Sequence, residues 1–256
     1  MSQIIVVKIG GSTLGSHDTA LEDIAALQAQ GRALVVVHGG GSAATEWLKV
    51  HGVASEFVDG LRVTGPDAID IVTAVFAGLV NKQLVAGLQA LGARPFGLSG
   101  ADGRLIETRQ LDERLGFVGE VTRIDRKPID VLLAAGYLPL ISSLGFWGDQ
   151  PAKLMNINAD TVAGEVAAAV GASDLVFLTD VAHVRGSEGE DLSELQAAAV
   201  EPLIESGAAS GGMIPKLRAG ARAARSGARC HIVDGREAHV LRAVLESRAG
   251  GTRVTA

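Results

Sequence analysis

Two stretches decide the fold: Ile4-Ile5-Val6-Val7-Lys8-Ile9-Gly10-Gly11-Ser12 and Ala33-Leu34-Val35-Val36-Val37-His38-Gly39-Gly40-Gly41-Ser42. In each, a short β-branched apolar run ends in glycines and leads toward a segment of helical periodicity. A run without polar alternation suits a strand buried on both faces, as in a parallel sheet covered by helices. Similar runs occupy residues 94–98, 137–143, 174–178 and 229–233. Helical periodicity fills 18–30, 43–50, 66–91, 128–135, 160–170, 215–226 and 237–246. The alternation predicts an α/β protein, a three-layer αβα sandwich around a mostly parallel sheet, with its ligands at the strands' carboxyl ends.

Residues 56–63 and 103–123 break the alternation and read as β-hairpins outside the helix layers. The polar loop at 179–191 is the nearest thing to a boundary. It divides the chain into an N-terminal lobe, 1–178, and a C-terminal lobe, 179–256.

Composition narrows the class. Glycine supplies 33 of 256 residues, about 13% against a usual ~7%, with no tripeptide period. Hydrophobic residues make up 47%, which excludes a disordered chain. A net charge of −6 argues against a nucleic-acid surface, which needs a basic face. The apolar runs read as shorter than a bilayer span, so no membrane partner is expected. The single cysteine, Cys230, sits in an apolar strand and reads as core. With no signal-like N-terminus, the expected location is cytoplasmic.

Both glycine clusters follow strands and precede helices, where bare backbone N–H groups and a helix N-terminus attract anions. Tight turns are the plainer reading of either one alone. The P-loop spacing is absent. Gly39, Gly41 and Ala44 fit a dinucleotide fingerprint, without an acidic residue closing the following strand. The histidines show no metal-ligand spacing.

A few charged residues stand in apolar or glycine-rich settings. Lys8 interrupts an Ile/Val run just before Gly10-Gly11, and an ammonium at that depth needs a partner or an anionic ligand. Lys216 follows the Ser210-Gly211-Gly212 loop at a helix start, where a cation opposes the dipole unless something negative binds. Asp160, after Asn156-Ile157-Asn158-Ala159, reads either as a helix cap or as a site residue. Arg62, beyond Asp59-Gly60-Leu61, is either a solvated hairpin residue or a fork for a carboxylate.

Taken in order, Lys8-Ile9-Gly10-Gly11, His38-Gly39-Gly40-Gly41, Phe57-Val58-Asp59-Gly60-Leu61-Arg62-Val63-Thr64, Asn156-Ile157-Asn158-Ala159-Asp160, Leu178-Thr179-Asp180-Val181 and Gly212-Met213-Ile214-Pro215-Lys216 resemble the acetylglutamate kinases of the amino acid kinase family. The resemblance covers essentially the whole chain. It implies transfer of the γ-phosphoryl group of ATP to the side-chain carboxylate of N-acetyl-L-glutamate, a step of arginine biosynthesis. It assigns Lys8 and Lys216 to transition-state stabilisation and Asp160 to holding both. Gly10 and Gly11 would receive phosphate, and Gly40, Gly41, Arg62 and Asn156 would bind the amino-acid substrate. The nucleotide would lie over Asp180, Val181, Ala182, His183, Val184 and Arg185 and over Ala208, Ala209 and Ser210. Mg²⁺ would be held mainly through the phosphates, with no metal site on the protein.

Ser42, Ala101 and His183 depart from the family's usual residues, His183 in the nucleotide loop itself. No helix precedes Ile4, which leads to the expectation of an arginine-insensitive homodimer. The rival readings are a sister kinase acting on carrier-bound aminoadipate or glutamate, a dinucleotide-dependent oxidoreductase built on Gly39–Ala44, and a silent regulatory protein.

Overall fold

A computed structural model describes residues 3–10, 19–58, 60–248 and 250–256. Among these, eight strands form the main sheet: β1 (Ile4–Ile9), β2 (Ala33–His38), β3 (Pro95–Ser99), β4 (Leu138–Ser142), β5 (Asp174–Thr179), β6 (Glu194–Gln196), β7 (Arg229–Asp234) and β8 (Thr252–Thr255). Their order is β6-β8-β7-β5-β1-β2-β4-β3. Neighbours run parallel except β7 and β8. The sheet is thus mostly parallel, as its continuous apolar runs require.

The helices are α1 (Ala20–Ala29), α2 (Gly41–Val50), α3 (Pro66–Ala90), α4 (Lys127–Ala134), α5 (Ala159–Val170), α6 (Val200–Glu205), α7 (Met213–Arg225) and α8 (Val240–Leu245). Successive strand residues face opposite ways, so β1 feeds two cores. Ile5, Val7 and Ile9 meet α1, α2, α3 and α8 through Ile24, Ala44, Val72 and Leu241. Val6 faces the layer of α4, α5, α6 and α7, with Ile129, Val162, Leu203 and Leu217. Each fully buried Leu or Ile is worth roughly 1.5–3 kcal/mol, against about 0–1 kcal/mol for an exposed pair such as Arg126–Asp130. The two apolar layers hold the fold.

Helix α3 differs from its sequence pattern in two ways. Its 25 residues, with a mean hydropathy of 1.6 in their most apolar window, are long and apolar enough by length and composition alone to cross a membrane. This corrects the reading of apolar runs as uniformly short. Its inner face, including Val72, Phe76, Leu84 and Leu88, packs against the sheet. Its middle, Ala74–Val80, is a π-helix, a local widening frequent at functional sites.

The two predicted hairpins are present. Phe57–Val58 pairs with Leu61–Arg62. Ile106–Gln110 pairs with Gly119–Ile124 and joins Leu144–Trp147 and Gln150–Asn156 in a four-stranded sheet. Bridges at Thr64–Gly116 and Val118–Asn156 link these pieces, bringing the Arg62 hairpin against the strand that carries Asn156.

Candidate active site

Lys8 lies in the middle of the main sheet, opposite Val37 of β2 and Phe177 of β5, on the face covered by α5 and α7. A cation there is tolerable because the first turn of α5 brings the Asp160 carboxylate to it. Asn158 caps that helix, its side chain accepting from the Asp160 and Thr161 amides at 2.9 and 3.1 Å. Capping therefore belongs to Asn158, and the carboxylate of Asp160 is left for other work.

That work is to join two lysines. Lys8 Nζ stands 2.8 Å from Asp160 Oδ1, and Lys216 Nζ donates to Oδ2 at 3.0 Å. All three side chains are nearly enclosed, at 11%, 8% and 7% exposure for Lys8, Asp160 and Lys216. Burial alone would raise the Asp160 pKa, but the two ammonium groups overcome it and hold the carboxyl below its ordinary value. Burial lowers the Lys216 pKa against the pull of Asp160. Lys216 also lies 5.3 Å from the centre of the Phe177 ring.

Beside this triad opens a cavity of about 190 Å³, whose wall includes Lys8, Gly40, Gly41, Arg62, Asn156 and Asp160. Six residues picked out from sequence thus meet at one place. Arg62 is 6% exposed, and its guanidinium donates to the Gly41 carbonyl and to Thr45 Oγ1, each at 2.8 Å, and also to Ser55 Oγ. It lies over the Phe57 ring, 4.6 Å from the centroid. Among the described residues no carboxylate pairs with it, and burial lowers its pKa. Such a guanidinium suits an anionic ligand. The Asn156 side chain donates to Thr64 Oγ1 at 3.0 Å, and Thr64 in turn donates to the Arg62 carbonyl at 2.9 Å. The hairpin and the Asn156 strand are therefore one hydrogen-bonded unit.

The loop before α7 comes close to this hairpin. A Cβ on Gly60, which has φ +78°, would lie 3.0 Å from the backbone carbon and oxygen of Gly211. The hairpin thus abuts the loop that leads into α7 and Lys216.

Of the expected phosphate-binding residues, Gly10 directly follows β1, and Gly11 lies outside the described residues, as does Asp59. The expected nucleotide segment starts at the carboxyl end of β5. Asp180 is exposed, and the Arg236 side chain donates to its carbonyl at 2.8 Å. Val184 and Ala209 are buried. His183 accepts from the Gly251 amide at 3.2 Å, and Thr252 Oγ1 accepts from the Val184 amide at 2.8 Å. Arg185 pairs with Asp191 at 3.2 Å. Ala208 and Ser210 lie in the loop beside Gly211, while Val181 and Ala182 lead to His183.

Sequence reading gave no individual role to Thr45, Ser55, Thr64 or Phe57, which orient Arg62 and Asn156. Small hydroxyl residues carry no distinguishing signal until the fold brings them to a guanidinium. Among the described residues no group of three or more His, Cys, Asp or Glu side chains could hold a metal ion. Cys230 is fully buried, and burial pushes its thiol far up.

A mostly parallel αβα sandwich with two lysines bridged by one carboxylate at the strand ends defines a class of small-molecule phosphotransferase. The chain matches the amino acid kinase family over residues 3–234 and belongs to it. It is 43% identical to an acetylglutamate kinase of Dehalococcoides mccartyi, over 98% of this chain and 94% of that one. It is 41% identical to the chloroplastic acetylglutamate kinase of Arabidopsis thaliana, over 98% of this chain and 75% of that one. Among solved structures, smu.665 from Streptococcus mutans UA159 superposes over the whole of both chains with a TM-score of 0.85 at 30% identity.

Proposed function

We propose that the protein phosphorylates the side-chain carboxylate of N-acetyl-L-glutamate with ATP, giving N-acetyl-L-glutamyl 5-phosphate and ADP in arginine biosynthesis. The observation that carries this reading is the Lys8–Asp160–Lys216 triad, whose Lys8 and Asp160 line the same cavity as Arg62 and Asn156. A carboxylate oxygen attacks the γ-phosphorus, the bond to the β,γ-bridging oxygen breaks, and ADP leaves with the electron pair. No proton moves, so no general base is needed. What the protein supplies is position and positive charge.

Lys8 and Lys216 approach the transferring group from the two lobes, residues 1–178 and 179–256. Asp160 holds one ammonium group on each of its oxygens and acts as an organiser. The amides of Gly10 and Gly11 take up phosphate oxygens, Gly40 and Gly41 line the reacting carboxylate, and Arg62 with Asn156 holds the α-carboxylate end. The nucleotide lies over residues 180–185 and 208–210. Mg²⁺ would supply charge neutralisation and would be held by the nucleotide phosphates, because both Asp160 oxygens already face ammonium groups.

Trapping the acyl phosphate with hydroxylamine tests the reading. Hydroxamate should form with N-acetyl-L-glutamate and ATP, and not with aspartate, free glutamate or carbamate. Hydroxamate from a carrier-bound amino acid alone would favour the sister kinases.

The reading carries with it a cytoplasmic homodimer. In its support, Phe96 and Tyr137, 47% and 36% exposed, stack edge to face along edge strand β3, with Val131 exposed nearby. Light scattering should give twice the chain mass, and a monomer would refute the dimer.

A further inference from the structure

Directly beneath the glycine loop, a polar chain runs through apolar core. His38, the last residue of β2, is 1% exposed, and its Nδ1 stands 2.7 Å from the Gly39 carbonyl oxygen. Its Nε2 lies 3.0 Å from Nδ2 of Asn81, which is fully buried in α3 just past the π turn. Other partners fix the orientation of the Asn81 amide. Nδ2 also donates to the Leu140 carbonyl at 3.0 Å, and Oδ1 accepts from the Lys82 ammonium at 2.9 Å. A carbonyl only accepts and an ammonium only donates, so the amide nitrogen must face His38. It follows that Nε2 is bare and Nδ1 carries the proton. Burial, with help from Lys82 and against the Gly39 bond, lowers the ring's pKa to about 4, so the imidazole is neutral at physiological pH.

A trans peptide is planar, with its N–H opposite its C=O. Holding the Gly39 oxygen therefore sets the direction of the Gly40 N–H, which takes no hydrogen bond among the described residues. The loop is also fixed from the far side: a Cβ on Gly40 would fall 2.8 Å from Phe76, and the Val80 side chain is 3.2 Å away, both on the π turn. Room for Asn81 is equally specific, since a Cβ on Gly97 would lie 2.1 Å from its Oδ1.

We propose that His38 is a positioning residue: held by Asn81 in its Nδ1-protonated tautomer, it turns the Gly39–Gly40 peptide so that the Gly40 N–H faces the reacting carboxylate. The assignment rests on the kinase reading. It makes His38, which touches no substrate, responsible for one donor of the site, and one preorganised donor is worth roughly 10²–10³ in turnover.

Two measurements test it. Long-range proton–nitrogen correlation on the wild-type protein should show His38 protonated at Nδ1 only, and an Nε2-protonated ring would overturn the proposal. The second is a pair of variants. His38→Asn keeps an amide N–H where Nδ1 stood and loses the reach to Asn81. His38→Gln is nearer to histidine in volume and reaches Asn81, but offers Gly39 nothing. His38→Asn should lose less than about tenfold in kcat and His38→Gln roughly 10²–10³-fold, with the KM for ATP alike in both. A space-filling role predicts the reverse order, with kcat following the melting temperature, and that order would overturn the proposal. If neither variant folds, the wild-type spectrum decides alone. A wild-type protein that forms no acyl phosphate would instead defeat the kinase reading and leave the tautomer result standing.

Discussion

A buried carboxylate shared by two ammonium groups is the chemical signature of this site, and its energetics are asymmetric. Removing one member of a buried ion pair costs about 3–5 kcal/mol, because the partner's desolvation is no longer offset. Asp160 faces two partners at 2.8 and 3.0 Å, so Asp160→Ala should destabilise the protein as well as silence it. The lysines separate those effects. Lys8→Ala and Lys216→Ala still leave Asp160 one ammonium apiece. Each should lose roughly 10²–10³ in turnover with circular dichroism unchanged; a Lys8→Ala enzyme of near-normal turnover would sink the assignment. Lys8 was legible in sequence because an ammonium inside an Ile/Val run is costly on its own. Asp160 was not separable there from a helix cap, since both roles place an acid in a first turn. Only the observation that Asn158 already caps α5 decides between them.

Elements set the spacing of that triad. Asp160 rides on α5 and Lys216 on α7, and the two helices touch where a Cβ on Gly164 would come 2.7 Å from the Ala219 carbonyl oxygen. Backbone cannot yield as a side chain tip can. Gly164→Val should therefore push the helices apart, costing about 1–3 kcal/mol in overpacking. It should also lower kcat, even though residue 164 lies a full turn from the chemistry. A melting curve and a kcat measurement check both, and a variant that lost stability but kept its turnover would show that the helix spacing does not govern the lysines. Strands β1 and β2 were readable to the residue because a continuous apolar run has no other buried use. The strand Gln150–Asn156 was hidden by its polar opening, Gln150-Pro151-Ala152-Lys153, which reads as loop until Leu144–Trp147 pairs with it. The π turn in α3 left no trace at all, for Ala74–Val80 suits an ordinary helix equally well.

Across the whole molecule, the contact of Gly60 with Gly211 sets how nearly the two sides of the site meet. Gly60→Ala adds a methyl group to a residue at φ +78°, a conformation that disfavours a side chain, and places it against Gly211 backbone. Approach of the two walls should be hindered, so kcat/KM for N-acetyl-L-glutamate should fall by at least tenfold, roughly the effect of 1.4 kcal/mol, with the melting temperature little changed. Unaltered kcat/KM would mean that the contact plays no part in turnover. The two-lobe division was suggested in sequence only by a polar loop, because one unbroken sheet crosses it.

Strand β8 has a consequence for how the protein is made. Residues 252–255 lie between β6 and β7, so a strand synthesised late occupies the interior of the sheet and binds the loop at Val184 through Thr252. Until residue 255 has emerged, β6 has no partner among the described strands. At roughly 5–20 residues per second of synthesis, β1 and β2 are available for roughly ten to forty seconds before this half of the sheet can close. The half proposed for the amino acid can thus assemble early on the ribosome, while the half proposed for the nucleotide must wait for β8, leaving β6 and β7 in need of protection from aggregation in the interval.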